Sequence, residues 1–221
     1  MSYRDERNYE NANKALYTGV GQYGIPRLEP LSADDLPDVW LGFNYAKTAK
    51  NTADKGLHFF VDDYQFMRVW EKPDMYLDML RRFDTVCTPD FSTYVDFPKA
   101  LQIYNHYRKH WLGAYWQENG IKVIPSISWS DAESYEWCFD GEPEGGVVAV
   151  SSVGTRKTPE ACSLFLGGYC EMVRRLKPAA VLFYGEIPAE CEGTAHIIPI
   201  QAFQEAMRKR VDDSKKAGGV V

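Results

Sequence analysis

Residues 147–186 read VVAVSSVGTRKTPEACSLFLGGYCEMVRRLKPAAVLFYGE. Two apolar runs, VVAVSS (147–152) and AAVLFY (179–184), bracket a stretch of helical period. Pro159 suits the first turn of that helix, Leu164, Phe165, Tyr169, Met172, Val173 and Leu176 make its apolar face, and Lys177-Pro178 stops it. Neither run alternates apolar with polar residues, as a strand open to water on one side would. Strand, helix, strand in this form is a parallel β-α-β crossover, which is right-handed almost without exception.

The same texture extends in both directions. Further apolar runs are VWLGF (39–43), LHFFV (57–61), DTVCT (84–88), IKVIPSIS (121–128) and AHIIPI (195–200). Between them Tyr76, Leu77, Met79 and Leu80 mark a helix after Pro73. Ala100, Leu101, Ile103, Tyr104, Tyr107, Trp111, Leu112 and Tyr115 stripe a long helix that starts near Pro98 and stops at Asn119-Gly120. A short helix over 131–139 has Ser130 as its expected N-cap and Glu133 in the capping-box position, while 44–56 shows no helix. The expected fold is α/β, with about seven mostly parallel strands alternating with helices. An incomplete or small TIM-like (β/α) barrel is favoured because a polar cluster follows each strand at once; an open doubly wound sheet is the alternative. Residues 1–38, rich in Gly and Pro, read as an arm lying on a core domain of 39–200, and 201–221 as a helix with a flexible tail.

A chain of 221 residues that is 45% apolar can bury one substantial core. Its net charge of −6 argues against binding nucleic acid broadly through the phosphate backbone, though it permits a local basic rim. No run approaches the roughly 20 apolar residues of a membrane span, and MSYRDERNYENANK holds no signal-peptide core, so a cytoplasmic location and no membrane partner are expected. The five cysteines form no C-x-x-C pair and read as free thiols, with Cys87 and Cys170 in the core.

Four phrases carry a family resemblance: LHFFVDDYQFMRVW (57–70), CTPDFSTYVDFPKALQIYNHYR (87–108), GAYWQENGIKVIPSISWSDAESYEWCFDGEP (113–143) and VVAVSSVGTRK (147–157). Together they resemble the domain-of-unknown-function family 4417 of bacteria, their phages and integrated mobile elements. The likeness runs from Gly42 to Pro188, about two thirds of the chain, and excludes the arm and the tail. It implies a phage or mobile-element origin and brings no catalytic residues with it.

Parallel crossovers bring every strand's carboxyl end to one edge, so residues distant in sequence converge there. Asp62 and Asp63 follow LHFFV, Asp90 and Ser92 follow DTVCT, Trp129, Ser130 and Asp131 follow VIPSIS, and Glu186 follows VLFY. Asp62, Asp63, Asp90 and Glu186 are the candidate catalytic acids, because clustered carboxylates raise one another's pKa or hold a hard cation, here Mg²⁺ or Mn²⁺. The structural alternative is that such acids and serines, Asp131 and Ser92 in particular, cap the following helices. Ser151, Gly154, Thr155 and Arg156, beside Lys157, make a strand-to-helix turn suited to phosphate, and Trp129 is the ring best placed to stack on a substrate. His106 and His110, at i and i+4, read as a solvated helix face, so a divalent metal is expected with the carboxylates instead. His58 reads as a core histidine and His196 as the other candidate base. The leading expectation is an enzyme acting on a phosphate- or sugar-bearing substrate, a nucleotide or nucleic-acid end. The alternative is a non-catalytic binding or inhibitor protein aimed at a host or phage component.

Overall fold

A computed structural model describes residues 8–34 and 36–200. A two-residue hairpin, β1 (Gly19–Val20) and β2 (Ile25–Pro26), lies in the arm. Then follow β3 (Val39–Gly42), α1 (Phe43–Ala46), β4 (Lys55–His58), α2 (Met67–Glu71), α3 (Asp74–Leu80), β5 (Thr85–Cys87), α4 (Lys99–Glu118), β6 (Lys122–Ile124), β7 (Val147–Ser151), α5 (Pro159–Leu176), β8 (Ala180–Tyr184) and β9 (Ile197–Ile200). Strands β3-β4-β5-β6 form one parallel sheet and β7-β8-β9 a second, each in sequence order. A parallel bridge between Ser126 and Ala149 joins the sheets, with Ile127 N–H donating to Ala149 O and Ala149 N–H to Pro125 O, both at 2.8 Å. The seven runs expected as strands all pair in parallel.

The sheet is open: among the described residues β9 pairs with β8 alone, β3 with β4 alone, and no closed barrel forms. Alternate residues of each strand face different clusters, as the pleat requires. Leu57, Val86 and Val123 look outward onto α3 and α4; Val148, Val150, Val181 and Phe183 look outward onto α5. The other set, Cys87, Ile124, Val147, Ala149, Ala180, Leu182 and Ile200, shares one inner cluster with Trp40 and Phe60.

The decisive crossover folds as its sequence dictates. Thr158 Oγ1 accepts from Ala161 N–H at 3.2 Å, Pro159 occupies the first turn, and Lys177 closes α5 in the left-handed region at φ 44° before Pro178. Phe165, Tyr169, Met172 and Leu176 are its buried face, each contributing about 1.5–3 kcal/mol of apolar burial.

Several local expectations need correcting. Residues 132–136 form a short 3₁₀ turn rather than a helix, and Asp131, not Ser130, caps it by accepting from Ser134 N–H at 3.2 Å. The four-residue α1 lies in the stretch expected to lack helix, and Cys170 is exposed while Cys87 is buried; all five cysteines are free. On α4 the apolar stripe is half the story. The arm covers it, with Trp111 Nε1–H donating to Ala15 O at 3.0 Å, while the opposite face buries Gln102, Asn105, His106, Lys109 and His110 against the sheet side. The expected helix and tail at 201–221 lie outside the described residues.

Candidate functional site

Two adjoining hollows, of about 410 and about 450 Å³, open at the carboxyl edge of the parallel strands. Asp90, Ser92, Tyr94, Ser151 and Val153 line both, so the two make one cleft. Trp129, Ser130, Gly154, Thr155 and Lys157 line the first; Asp62, Asp63, Phe60 and Tyr184 line the second. The strand ends therefore bring together Asp62, Asp63, Asp90, Trp129, Ser130, Ser151, Gly154 and Thr155. Asp131, Arg156 and Glu186 line neither hollow. Asp131 is spent on its cap, and Glu186, largely exposed, pairs with Arg156.

Each carboxylate sits in a different setting. Asp62 is exposed. Asp63 accepts from Ser92 Oγ at 2.8 Å and from Ser92 N–H at 3.1 Å, which ties the loop after β4 to the loop after β5. Asp90 follows Thr88 and Pro89 at the end of β5 and is half-buried. Burial pushes its carboxyl up to about 7, against the pull of the Lys109 ammonium and with a further push from Asp63. No three of these acids bring oxygens within reach of a shared ion; among the described residues the group that does so is His106, His110 and Glu142. A hard cation in the cleft would have one or two protein oxygens and complete its shell with water and substrate phosphate.

Around the acids the polar groups are largely committed. Trp129 Nε1–H donates to Leu164 O at 3.1 Å, and its ring lies 5.6 Å from that of Phe165. Ser130 Oγ–H donates to Gln102 Oε1 at 2.7 Å. In the turn after β7, Val153 N–H donates to Ser151 Oγ and Thr155 N–H to Ser152 O, both at 3.2 Å, so two of its amides serve the turn itself. Gly154, with φ at +85°, and Lys157 complete that wall. Exposed rings stand at the mouth: Tyr64 is 78% and Tyr94 62% accessible.

Sequence reasoning missed the inner face of α4. His106 and His110 are buried rather than solvated, because that face meets the turn Asp140–Glu142 and the arm at Pro26. Lys109 Nζ, 1% exposed, donates to Ser126 O and to Glu142 Oε1, each at 2.8 Å. Burial pushes the Glu142 carboxyl up, yet the neighbouring His110 and Lys109 charges outweigh it and hold the group below its usual range. A signal existed: Gln102, Asn105 or His106, Lys109 and Gly113 recur at helical spacing opposite the apolar stripe. His58 behaves as expected of a core histidine. Its Nδ1 accepts from Phe60 N–H at 3.3 Å, its ring lies 4.7 Å from that of Tyr184, and burial lowers its pKa to about 4.

An open parallel sheet with a polar cleft at its strand ends places the chain among the open-sheet α/β proteins. Within that class the chain belongs to the family described as Domain of unknown function (DUF4417), whose model matches residues 17–203. The match reaches further into the arm than the phrases of 42–188 implied. The Gene 1 protein of Mycobacterium phage L5 is 40% identical over 176 residues, covering 79% of this chain and 76% of that protein. The Gene 1 protein of Mycobacterium phage D29 is 36% identical over 205 residues, covering 91% of this chain and 75% of that one. No solved structure shows significant similarity. Among the described residues no helix is long and apolar enough to cross a membrane.

Proposed function

We propose that the cleft binds a phosphate- or sugar-bearing substrate, such as a nucleotide or a nucleic-acid end, with Asp90 as the general acid and base. The observation behind this is the position of Asp90, which lines both hollows, with Asp63 and the buried Lys109 acting on its charge from nearby. A carboxyl poised near neutrality can both give and take a proton at pH 7. Gly154, Thr155 and Lys157 are suited to a phosphate, and Trp129, Tyr64 and Tyr94 to a base or sugar ring. Asp62 and Asp63 are the residues to share Mg²⁺ or Mn²⁺ with that phosphate.

The test uses nucleoside mono- and triphosphates and a short 5′-phosphorylated oligonucleotide, with and without Mg²⁺ or Mn²⁺, following binding by calorimetry and products by chromatography. Asp90→Asn should abolish turnover while binding stays within a few-fold; turnover by Asp90→Asn at the wild-type rate rejects the role. A second reading is favoured by the exposed rim of Tyr64, Tyr94 and Val153, the last 63% accessible. It is a non-catalytic binding or inhibitor protein for a host or phage component, in which binding survives Asp90→Asn and no substrate gives product.

A further inference from the structure

The buried face of α4 holds a set of groups that the cleft does not use. One ligand atom from each of His106, His110 and Glu142 lies within 4.8 Å of the other two, and all three side chains are buried. The hydrogen bonds around them fix which atoms are available. Asp140 O lies 3.0 Å from His106 Nε2, and Pro26 O lies 2.8 Å from His110 Nδ1. A carbonyl oxygen only accepts, so both of those nitrogens carry hydrogens; in neutral rings the lone pairs fall on His106 Nδ1 and His110 Nε2. Backbone carbonyls orient metal-ligating imidazoles in this same way. Glu142 divides its two oxygens. Oε1 accepts from Lys109 Nζ at 2.8 Å and lies 2.9 Å from His110 Nε2, whereas Oε2 is buried without a hydrogen-bond partner.

We propose that His106 Nδ1, His110 Nε2 and Glu142 Oε2 bind one divalent transition-metal ion of the zinc type. Two imidazoles and one carboxylate suit a borderline ion, where Mg²⁺ would require oxygens. On binding, His106 Nδ1, His110 Nε2 and Glu142 Oε2 replace water ligands of the hydrated ion, and any proton shared between His110 Nε2 and Glu142 Oε1 passes to solvent. Lys109 keeps Oε1, so its ammonium remains the partner of the ligating carboxylate. The ion would fasten α4 to the Asp140–Glu142 turn, while the arm is held to His110 through Pro26 O. Gly141 makes that approach possible. Its φ is +78°, and a Cβ there would stand 2.4 Å from Pro26 O and 2.8 Å from His110 Nδ1. None of the three ligands lines the cleft, although Lys109, which holds Glu142 Oε1, also acts on Asp90.

The experiment takes the full chain, strips it with a chelator, and titrates it with Co²⁺, whose visible spectrum reports its ligands, and with Zn²⁺ by calorimetry. The expected result is one ion per chain, with a low-symmetry Co²⁺ spectrum that Zn²⁺ abolishes and X-ray absorption showing imidazole nitrogens. His106→Ala and Glu142→Gln should each weaken binding at least tenfold, and Asp90→Asn should leave it unchanged. The wild-type titration decides alone, whether or not the variants fold: no Co²⁺ spectrum and no Zn²⁺ heat from stripped wild-type protein overturns the site. Unchanged affinity in a folded His106→Ala variant overturns it as well.

Discussion

Replacing Asp90 by Asn, which mimics the protonated carboxyl in shape, should uncouple part of the protein's stability from pH. Burial raises the folded-state value from 3.8 to about 7. Between these values the folded protein holds a proton that the unfolded chain gives up, so stability is highest at low pH and falls as pH rises toward about 7. At about 1.4 kcal/mol per unit, the whole shift corresponds to about 4 kcal/mol, of which about 2.5 kcal/mol falls between pH 5 and pH 8. The assay is urea denaturation of wild type and Asp90→Asn at pH 5, 6, 7 and 8, reading the difference between the two proteins at each pH so that other titrating groups cancel. The variant should gain on the wild type by about 2.5 kcal/mol over that range, with no change in the slope of the unfolding transition. A difference that stays constant with pH, or that moves the other way, refutes the argument that the fold holds this carboxyl neutral.

His58 titrates in the opposite sense: burial lowers it to about 4, so below about pH 6.5 the unfolded imidazole takes a proton that the folded one refuses. Wild type should therefore lose about 2 kcal/mol relative to His58→Gln between pH 7 and pH 5, measured by the same denaturation series, and parallel curves would contradict this. In Gly168→Ala the new Cβ would stand 2.2 Å from Trp129 Nε1, so the indole must leave Leu164 O and shift within the wall of the cleft. Overpacking of this kind costs about 1–3 kcal/mol, and a loss under about 0.5 kcal/mol would show that the ring has room to move. Thr158→Ala removes the cap of α5 and should cost about 1 kcal/mol, while Thr158→Ser should restore most of it; equal stability in all three proteins would remove the cap from the account.

The strands and the two long helices were legible because their signals are local. Continuous runs such as VVAVSS and AAVLFY can only be covered strands, and Pro159 and Lys177-Pro178 punctuate the helix between them. From parallel pairing alone it followed that Asp62, Asp90, Trp129 and Gly154 would line one cleft. The individual settings of those groups depend on distant partners. Asp63 answers to Ser92 and Glu186 to Arg156, pairings that no spacing encodes. The α4 helix was read from its apolar stripe on the assumption that polar residues face water. Its polar residues instead find one another and the backbone carbonyls of Pro26, Ser126 and Asp140, and that mutual satisfaction is what lets His106, Lys109 and His110 lie inside.

Because each strand of the sheet pairs with the strand just before it in the chain, or across the Ser126–Ala149 bridge with the sheet just completed, no pairing waits on a distant segment. Every step closes one crossover, so its chain-entropy cost is met one connection at a time. As the polypeptide leaves the ribosome, β3 to β6 can assemble and bury Leu57, Val86 and Val123 against α3 and α4 while β7 is still being made. The finished half then offers its edge as the template for the three strands that follow.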